Sequence, residues 1–449
     1  MKSLEHISAF YFVGIGGIGM SALARYCKKL NKKVSGYDKT ATNLTTLLSK
    51  EGMDITFRDA ATEIDFQVFN PESSLVVYTP AIPKNNQILN AFREKGFEVV
   101  KRSQLLGEVT RNTLCLAVAG THGKTTTSAI LGHLLAACDM PVTAFLGGIA
   151  ENYQSNFISR GTEITVVEAD EFDRSFLQLR PDIACVTSMD ADHLDIYGNS
   201  ETLENSFSDF SKLVTDPSNL LFKKGLPLTG RTVAIGESAD YEAQNVRIEH
   251  GAYVFDLKTP KENLLGLRFL LPGHHNLYNA ITALGMALLA GAPSKKLIHA
   301  LATFRGVERR FSYKINSENL VLIDDYAHHP TEIDALYQAV SELYPEDQKL
   351  IVFQPHLFSR TKDFVEGFSE SLSKFDSILL MDIYPAREEP VPGITSEWLL
   401  NKISNPNKSL VSREDLPAKI KQSRARVKLL VGAGDIGAEV EKVTQFLKQ

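Results

Sequence analysis

Ala117-Val-Ala-Gly-Thr-His-Gly-Lys-Thr-Thr-Thr127 is the stretch on which the fold turns. Leu114 to Ala119 is a short apolar run suited to a buried strand, and Gly120 to Gly123 is a tight turn. Ser128 to Ala137 has the small and leucine-rich residues of a helix packed on a sheet. Strand, glycine turn, lysine, threonine and helix together make a cradle for a polyphosphate. Backbone N–H groups and the helix amino terminus face the anion, Lys124 reaches its outer phosphates, and Thr125 offers a hydroxyl to Mg²⁺. Gly120, Thr121, His122, Gly123, Lys124, Thr125 and Thr126 are therefore the expected nucleotide contacts. The spacing departs from the common phosphate loop, because Val118 stands where the strict pattern has glycine.

Downstream of this loop two more apolar runs end in acids. Thr165 to Val167 leads into Glu168-Ala-Asp-Glu-Phe-Asp173, and Ile183 to Met189 leads into Asp190-Ala-Asp-His-Leu-Asp195. Ligands of open α/β sheets gather at strand carboxyl ends, and Mg²⁺ takes one or two carboxylates beside phosphate oxygens. Glu168 and His193 are the expected metal ligands with Thr125, while the remaining acids read as solvated loop residues. Val246 to Leu257 alternates about a glycine turn as a hairpin. His274 to Leu289 reads as a helix with Asn276 and Asn279 on one face, where Asn276 either reads a base edge or caps the helix.

Upstream, Ile7 to Val13, Gly14-Ile-Gly16-Gly17-Ile-Gly19, a helix from Met20 and a strand ending in Asp38 form a dinucleotide fingerprint. A nicotinamide cofactor and a UDP-sugar both carry the pyrophosphate that such a turn accepts. In the last third, four strands end in polar residues: Asp324-Asp325, Gln354-Pro-His356, Asp382, and Gly432-Ala-Gly434-Asp435. Strands alternating with helices make this a further doubly wound domain whose strand ends face a cleft.

Composition bounds the rest. At 449 residues two or three domains are expected, and 43% apolar with 23% charged residues is ordinary for a globular protein. A net charge of −6 argues against a nucleic-acid partner. Cys27, Cys115, Cys138 and Cys185 are scattered, as free thiols would be. With no leader pattern and no apolar run of membrane-spanning length, a cytoplasmic protein without a membrane partner is expected.

Taken together, these stretches resemble the Mur ligase family of cell-wall precursor enzymes over essentially the whole chain. The matching motifs are Gly14-Ile-Gly-Gly-Ile-Gly-Met-Ser21, Gly120-Thr-His-Gly-Lys-Thr-Thr126, Glu168-Ala-Asp-Glu171, Asp192-His-Leu-Asp195, Gly273-His-His-Asn-Leu-Tyr-Asn279, Arg309-Arg310-Phe and Asp324-Asp-Tyr-Ala-His-His-Pro-Thr-Glu332. The resemblance implies an α/β protein of three domains. A Rossmann-like domain over 1–108 would bind a UDP-sugar, a central P-loop ATPase-like domain over 109–310 would bind ATP, and a doubly wound Rossmann-like domain over 311–449 would close over ATP and bind the amino acid. It also implies ATP- and Mg²⁺-dependent ligation of L-alanine to the lactyl carboxylate of UDP-N-acetylmuramate, through an acyl phosphate, by a monomer or weak homodimer.

Residue by residue, Gly14, Gly16, Gly17, Gly19 and Asp38 would hold the UDP-sugar, and Lys124 and Thr125 would serve ATP and Mg²⁺. Asn276, Arg310 and Asp325 would address the nucleotide. His328, His356 and Arg360 would hold the muramyl group or amino acid, with Lys124, His328 and Arg360 taking part in catalysis. Two departures stand out. Leu357 follows His356 where many members have arginine, and no lysine lies between His193 and Lys212 to serve as the carbamylated lysine of sibling ligases. Alternative readings are a recycling ligase that adds a preformed peptide, an NAD(P)-dependent oxidoreductase resting on Gly14 to Asp38, and a non-catalytic nucleotide-binding module.

Overall fold

In the computed structural model, which describes residues 4–190, 197, 199–386 and 388–448, the chain forms three sheets. The first has strands β1 (Ala9–Val13), β2 (Lys33–Tyr37), β3 (Asp54–Thr56), β4 (Ser74–Tyr78) and β5 (Glu98–Lys101) in the order β3-β2-β1-β4-β5. All its pairings are parallel. Helices α1 (Ile18–Lys29), α2 (Asn43–Lys50), α3 (Gln87–Glu94) and α4 (Arg102–Thr110) connect these strands or follow them. β1 is buried at every position, as expected of a strand covered on both faces, and such a strand reads as an unbroken apolar run.

The second sheet has ten strands: β6 (Leu114–Ala119), β7 (Val142–Ala150), β8 (Ser155–Ser159), β9 (Ile164–Glu168), β10 (Ile183–Val186), β11 (Leu220–Lys223), β12 (Arg231–Ile235), β13 (Tyr241–Glu249), β14 (Ala252–Lys258) and β15 (Asn263–Phe269). Their order is β15-β14-β13-β12-β11-β10-β6-β9-β7-β8. The phosphate-loop strand β6 lies between the two acid-ending strands β9 and β10, parallel to both. Helix α5 (Lys124–Ala137) follows the loop. The hairpin expected about Gly251 is β13–β14, turned by His250 and Gly251, both with positive φ.

The third sheet has β16 (Ser312–Asn316), β17 (Val321–Asp325), β18 (Lys349–Phe353), β19 (Ser377–Leu380), β20 (Lys408–Leu410) and β21 (Val427–Val431) in the order β16-β17-β21-β18-β19-β20. Its strands are parallel except for β16.

Contacts gather the chain into two compact units. One holds Met1–Val246, Phe255–Leu267 and Tyr278–Phe304, and the other Arg247–Val254, Arg268–Leu277 and Arg305–Gln449. The first sheet and strands β6 to β12 of the second thus share one unit, and a single apolar cluster runs from Phe10 and Leu23 of the first sheet layer to Ala117 and Val186 of the second. The four cysteines are free and buried.

Candidate active site

The phosphate loop is built from the strand that carries it. Gly123 caps α5 at φ 83°, a left-handed conformation that glycine adopts without strain, and a Cβ there would lie 2.5 Å from Oδ1 of Asn279. No side chain caps α5, so its first N–H groups have no capping acceptor, an arrangement that can receive an anion. The loop is held from the end of β10. Ser188 takes the N–H of His122 at 2.8 Å and meets the Thr121 hydroxyl at 2.8 Å, and the Ser188 carbonyl accepts the Thr121 N–H at 3.1 Å. The strand expected to run to Met189 ends at Val186, because Thr187 and Ser188 turn to brace the loop. Thr126 is buried in the first turn of α5, and the His122 ring sits 3.6 Å from Asp190.

Lys124 does not project into open solvent. Its Nζ donates to the Gly120 carbonyl at 2.6 Å and to Glu171 Oε1 at 2.9 Å, with Oε2 at 2.8 Å. The sequence reads Glu171 as a solvated loop acid, whereas the structure buries it wholly. The chain turns through a 3₁₀ segment, Phe172–Gln178, straight after it, and the Tyr197 hydroxyl donates to its backbone carbonyl at 2.6 Å. Burial opposes the charge on Lys124, but the carboxylates of Glu171, Asp170 and Glu168 prevail and keep the ammonium protonated above its usual range.

Beside it the Thr125 hydroxyl donates to both oxygens of Glu168, at 3.0 and 3.1 Å. The carboxylate is lodged against Gly147 of β7, where a Cβ would stand 2.1 Å from Oε2. Thr125 and Glu168 are therefore brought together, as the sequence suggested. His193, the third expected ligand, lies outside the described residues. Among the described residues no group of three His, Cys, Asp or Glu is placed to hold a metal.

In the first sheet, Gly14 and Ile15 donate to the Tyr37 carbonyl, which ties the glycine loop to the end of β2. Asp38 Oδ2 accepts the Gly16 N–H at 2.8 Å, and Oδ1 accepts the Thr40 N–H at 3.1 Å. Asp38, expected to hold the UDP-sugar, shapes the loop itself. Gly17 caps α1 without a side-chain bond. Arg102 lies over Gly19, 2.7 Å from where a Cβ would be, and pairs with Asp170 at 3.6 Å. Sequence reading passed over this link between the glycine loop and the phosphate-loop acids.

The second unit assembles a charged cluster of its own. Arg310 lies 3.7 Å from Glu332, and its guanidinium is 5.0 Å from the Tyr326 ring centroid. Glu332 also accepts the His328 N–H at 2.9 Å. The His328 ring meets that of His356 edge-on at 6.0 Å, and Arg360 reaches His356 Nδ1 at 3.4 Å. Nδ1 of His328 faces the Tyr326 carbonyl at 2.9 Å. A carbonyl only accepts, so Nδ1 carries the proton of the neutral ring and Nε2 is the basic nitrogen. Burial, joined by Arg360 and Arg310, holds the His328 pKa below the usual histidine range against the opposing Glu332.

Asp325 accepts the backbone N–H groups of Phe311 and Ala327 at 2.7 and 2.8 Å. It therefore fixes the turns that carry Arg310 and His328. Asn276 donates its amide to the Pro272 carbonyl at 2.7 Å from inside the first turn of helix His274–Leu289. It is not the helix cap. Leu357 has φ 71° at the start of the helix bearing Arg360.

Family models match the chain in order: the catalytic domain of the Mur ligase family over residues 9–113, the Mur ligase middle domain over 118–287, and the Mur ligase glutamate ligase domain over 309–435. The chain is 58% identical over 448 residues to the UDP-N-acetylmuramate–L-alanine ligase of Christiangramia forsetii, covering 100% of this chain and 99% of that protein. It is 56% identical over 447 residues to the ligase of the same name from Flavobacterium johnsoniae, with 100% and 99% covered. Among solved structures, the UDP-N-acetylmuramate-alanine ligase of Thermotoga maritima matches with a TM-score of 0.82 at 26% identity, over 98% of this chain and 99% of that one. A murein peptide ligase from Psychrobacter arcticus shares the fold, with a TM-score of 0.70 at 22% identity over 98% of each chain. With a braced phosphate loop, a threonine–glutamate pair beside it and full-length relatives at this level of identity, the chain belongs to the Mur ligase family.

Proposed function

We propose that the protein joins L-alanine to the lactyl carboxylate of UDP-N-acetylmuramate with conversion of ATP to ADP and phosphate, a step of peptidoglycan precursor synthesis. The observation that carries this reading is 58% identity over the full chain to a ligase of that name. The phosphate loop supplies the chemistry it requires. A carboxylate is a poor electrophile, so it is first phosphorylated, and the amine then attacks the acyl carbon and expels phosphate. Phosphoryl transfer depends on positioning and charge neutralisation, which suits a site built on a lysine and unbonded helix N–H groups.

The residue roles follow from that reading. The loop Gly120 to Thr126 wraps the phosphates, which compete with Glu171 for the Lys124 ammonium. Gly14, Gly16, Gly17 and Gly19 receive the sugar diphosphate, with Asp38 holding the loop in shape. Asn276 and Arg310 address the nucleotide, with Asp325 fixing the backbone beside Arg310. Arg360 and His356 take the carboxylate of the amino acid. Nε2 of His328 accepts the proton from its ammonium, for which a lowered pKa leaves the ring neutral at pH 7.

Thr125 and Glu168 fit a hard divalent cation, since both present oxygen on one side of the loop, and His193 is the third proposed ligand. Mg²⁺ held there would supply positive charge against the phosphate oxygens. We place the enzyme in the cytosol with its nucleotide substrates, as a monomer or weak homodimer. No helix among the described residues is long and apolar enough to cross a membrane.

The test is phosphate release with UDP-N-acetylmuramate, ATP, Mg²⁺ and L-alanine omitted in turn. Release should require all four, and a preformed peptide should not replace alanine. A complete mixture that yields no phosphate overturns the reading.

A further inference from the structure

The face of the first sheet turned away from α1 carries an unusual row. Tyr11 on β1 is in register with Ser35 on β2, and Ser35 with Asp54 on β3. All three line a cavity of about 390 Å³, roofed by the segment that follows β3 and edged by Lys33, Phe57 and Phe69. Tyr11 is 4% exposed, and its hydroxyl has no hydrogen-bond partner. Among the described residues the Ser35 hydroxyl and the Asp54 carboxylate have no hydrogen-bond partner either, and neither Asp54 nor Lys33 has an ion-pair partner. Asp54 and Lys33 stand exposed at the mouth, so the Tyr11 hydroxyl is the buried group of the row left unsatisfied, and since buried polar groups normally find a partner it invites a ligand.

The cavity is separate from the sugar-nucleotide site proposed above. The loop Gly14 to Gly19 and Asp38 follow the carboxyl ends of β1 and β2, and none of them lines it. Lys33 opens β2 at its amino end. At the rim Arg58 and Glu63 offset each other at 3.8 Å, which leaves both signs of charge on one concave surface, Lys33 positive and Asp54 and Asp65 negative. A ligand with a single charge would answer one of them and leave the other exposed to it, whereas a zwitterion answers both. Burial, with Asp54 and other carboxylates nearby, keeps the Tyr11 phenol protonated and hence a donor. The volume falls near the lower end of small-molecule sites, ~300–1,000 Å³, and suits a ligand of a few heavy atoms.

We propose that this cavity binds a free α-amino acid. Its carboxylate meets Lys33 and the Tyr11 hydroxyl, its ammonium meets Asp54, and its side chain lies against Phe57 and Phe69. This inference stands apart from the ligase reading and survives or fails without it.

The experiment is ¹⁹F NMR of the full chain labelled with 3-fluorotyrosine, in the absence of nucleotide. The Tyr11 resonance is assigned by its loss in Tyr11→Phe. That variant should fold, because it removes a hydroxyl that bonds to nothing. Glycine, L-serine, L-glutamate, L-arginine and L-phenylalanine are titrated separately. At least one should shift the Tyr11 signal saturably, and its N-acetyl amide should not. Asp54→Asn should weaken that binding about tenfold or more, as expected for loss of a charged hydrogen bond. If none of the five shifts the signal, or if the uncharged analogue or sorbitol shifts it equally, the proposal is overturned.

Discussion

At the scale of single residues, Lys124 and Glu171 are each other's neutralising partner in a buried place, so removing one has two separable effects. Lys124→Ala should lower kcat by ~10²–10³, by analogy with deleting one charge-stabilising donor. It should also strand the Glu171 carboxylate and cost about 3–5 kcal/mol of stability. The double variant Lys124→Ala/Glu171→Gln should recover most of the stability and none of the activity, as read by urea unfolding and phosphate release. Equal unfolding midpoints for the single and double variants would rule out the pair as a stabilising element. Lysine at this position is legible in the sequence from its spacing after the glycines. Glu171 is not, because it sits in a run of acids that look alike until a turn and a tyrosine bury one of them.

Asp325 makes a second prediction at this scale. Burial pushes it up to about 6 from an ordinary 3.8, although Arg310 and two backbone N–H groups pull the other way. A carboxyl that holds its proton more tightly when folded adds stability that is fully present below about pH 4. That contribution is lost as the pH rises through about 6. The melting temperature of the wild type relative to Asp325→Asn should therefore fall between pH 4 and 7. A difference that stays flat over this range would mean that the folded chain does not perturb this group.

At the scale of elements, β7 contributes by what it lacks. Gly147 leaves the space that the Glu168 carboxylate occupies, so Gly147→Ala should displace the carboxylate while the strand persists. The Mg²⁺ concentration for half-maximal activity should rise by roughly tenfold, within the usual range for disturbed support of a metal site. Unchanged Mg²⁺ dependence in a folded variant would remove Glu168 from the metal set. The parallel strands themselves were legible, since strands buried on both faces read as apolar runs. Their ends were less so. Thr187 and Ser188 look like a continuation of β10 but belong to the brace of the phosphate loop. From spacing alone Asn276 suits two roles, base contact or helix cap. Only coordinates show that its amide goes to Pro272, because a side chain's choice among nearby carbonyls is not written in spacing.

At the scale of the molecule, the first two sheets are joined by a polar knot in an apolar seam. Asn156 on β8 is wholly buried, donating to the Ile18 carbonyl at 2.5 Å and the Ser21 hydroxyl at 2.9 Å while accepting from Arg25. Arg25 in turn pairs with Glu51 at 2.7 Å. Asn156→Ala removes three hydrogen bonds from the seam, although Ser21 still donates to the Ile18 carbonyl and Arg25 still pairs with Glu51, so the cost should be about 1–3 kcal/mol in all. Because Ile18 begins α1 just behind the glycine loop, KM for the UDP-sugar should rise while kcat holds. A variant with unaltered KM would show that α1 keeps its place without the knot. Partners more than a hundred residues apart leave no local trace, and the expected boundary near residue 108 falls inside α4 (Arg102–Thr110).

That seam bears on how the gene can be cut. A fragment opening at residue 109 would bare Asn156 and the oily surface around it to water, so it should precipitate when made alone. Chimeras assembled from relatives would meet the same obstacle unless both sheets came from one parent. Evolution is then expected to have altered the two flanks of the seam in step, and a specificity-changing graft on the sugar side has to bring its matching bed of middle-sheet residues along.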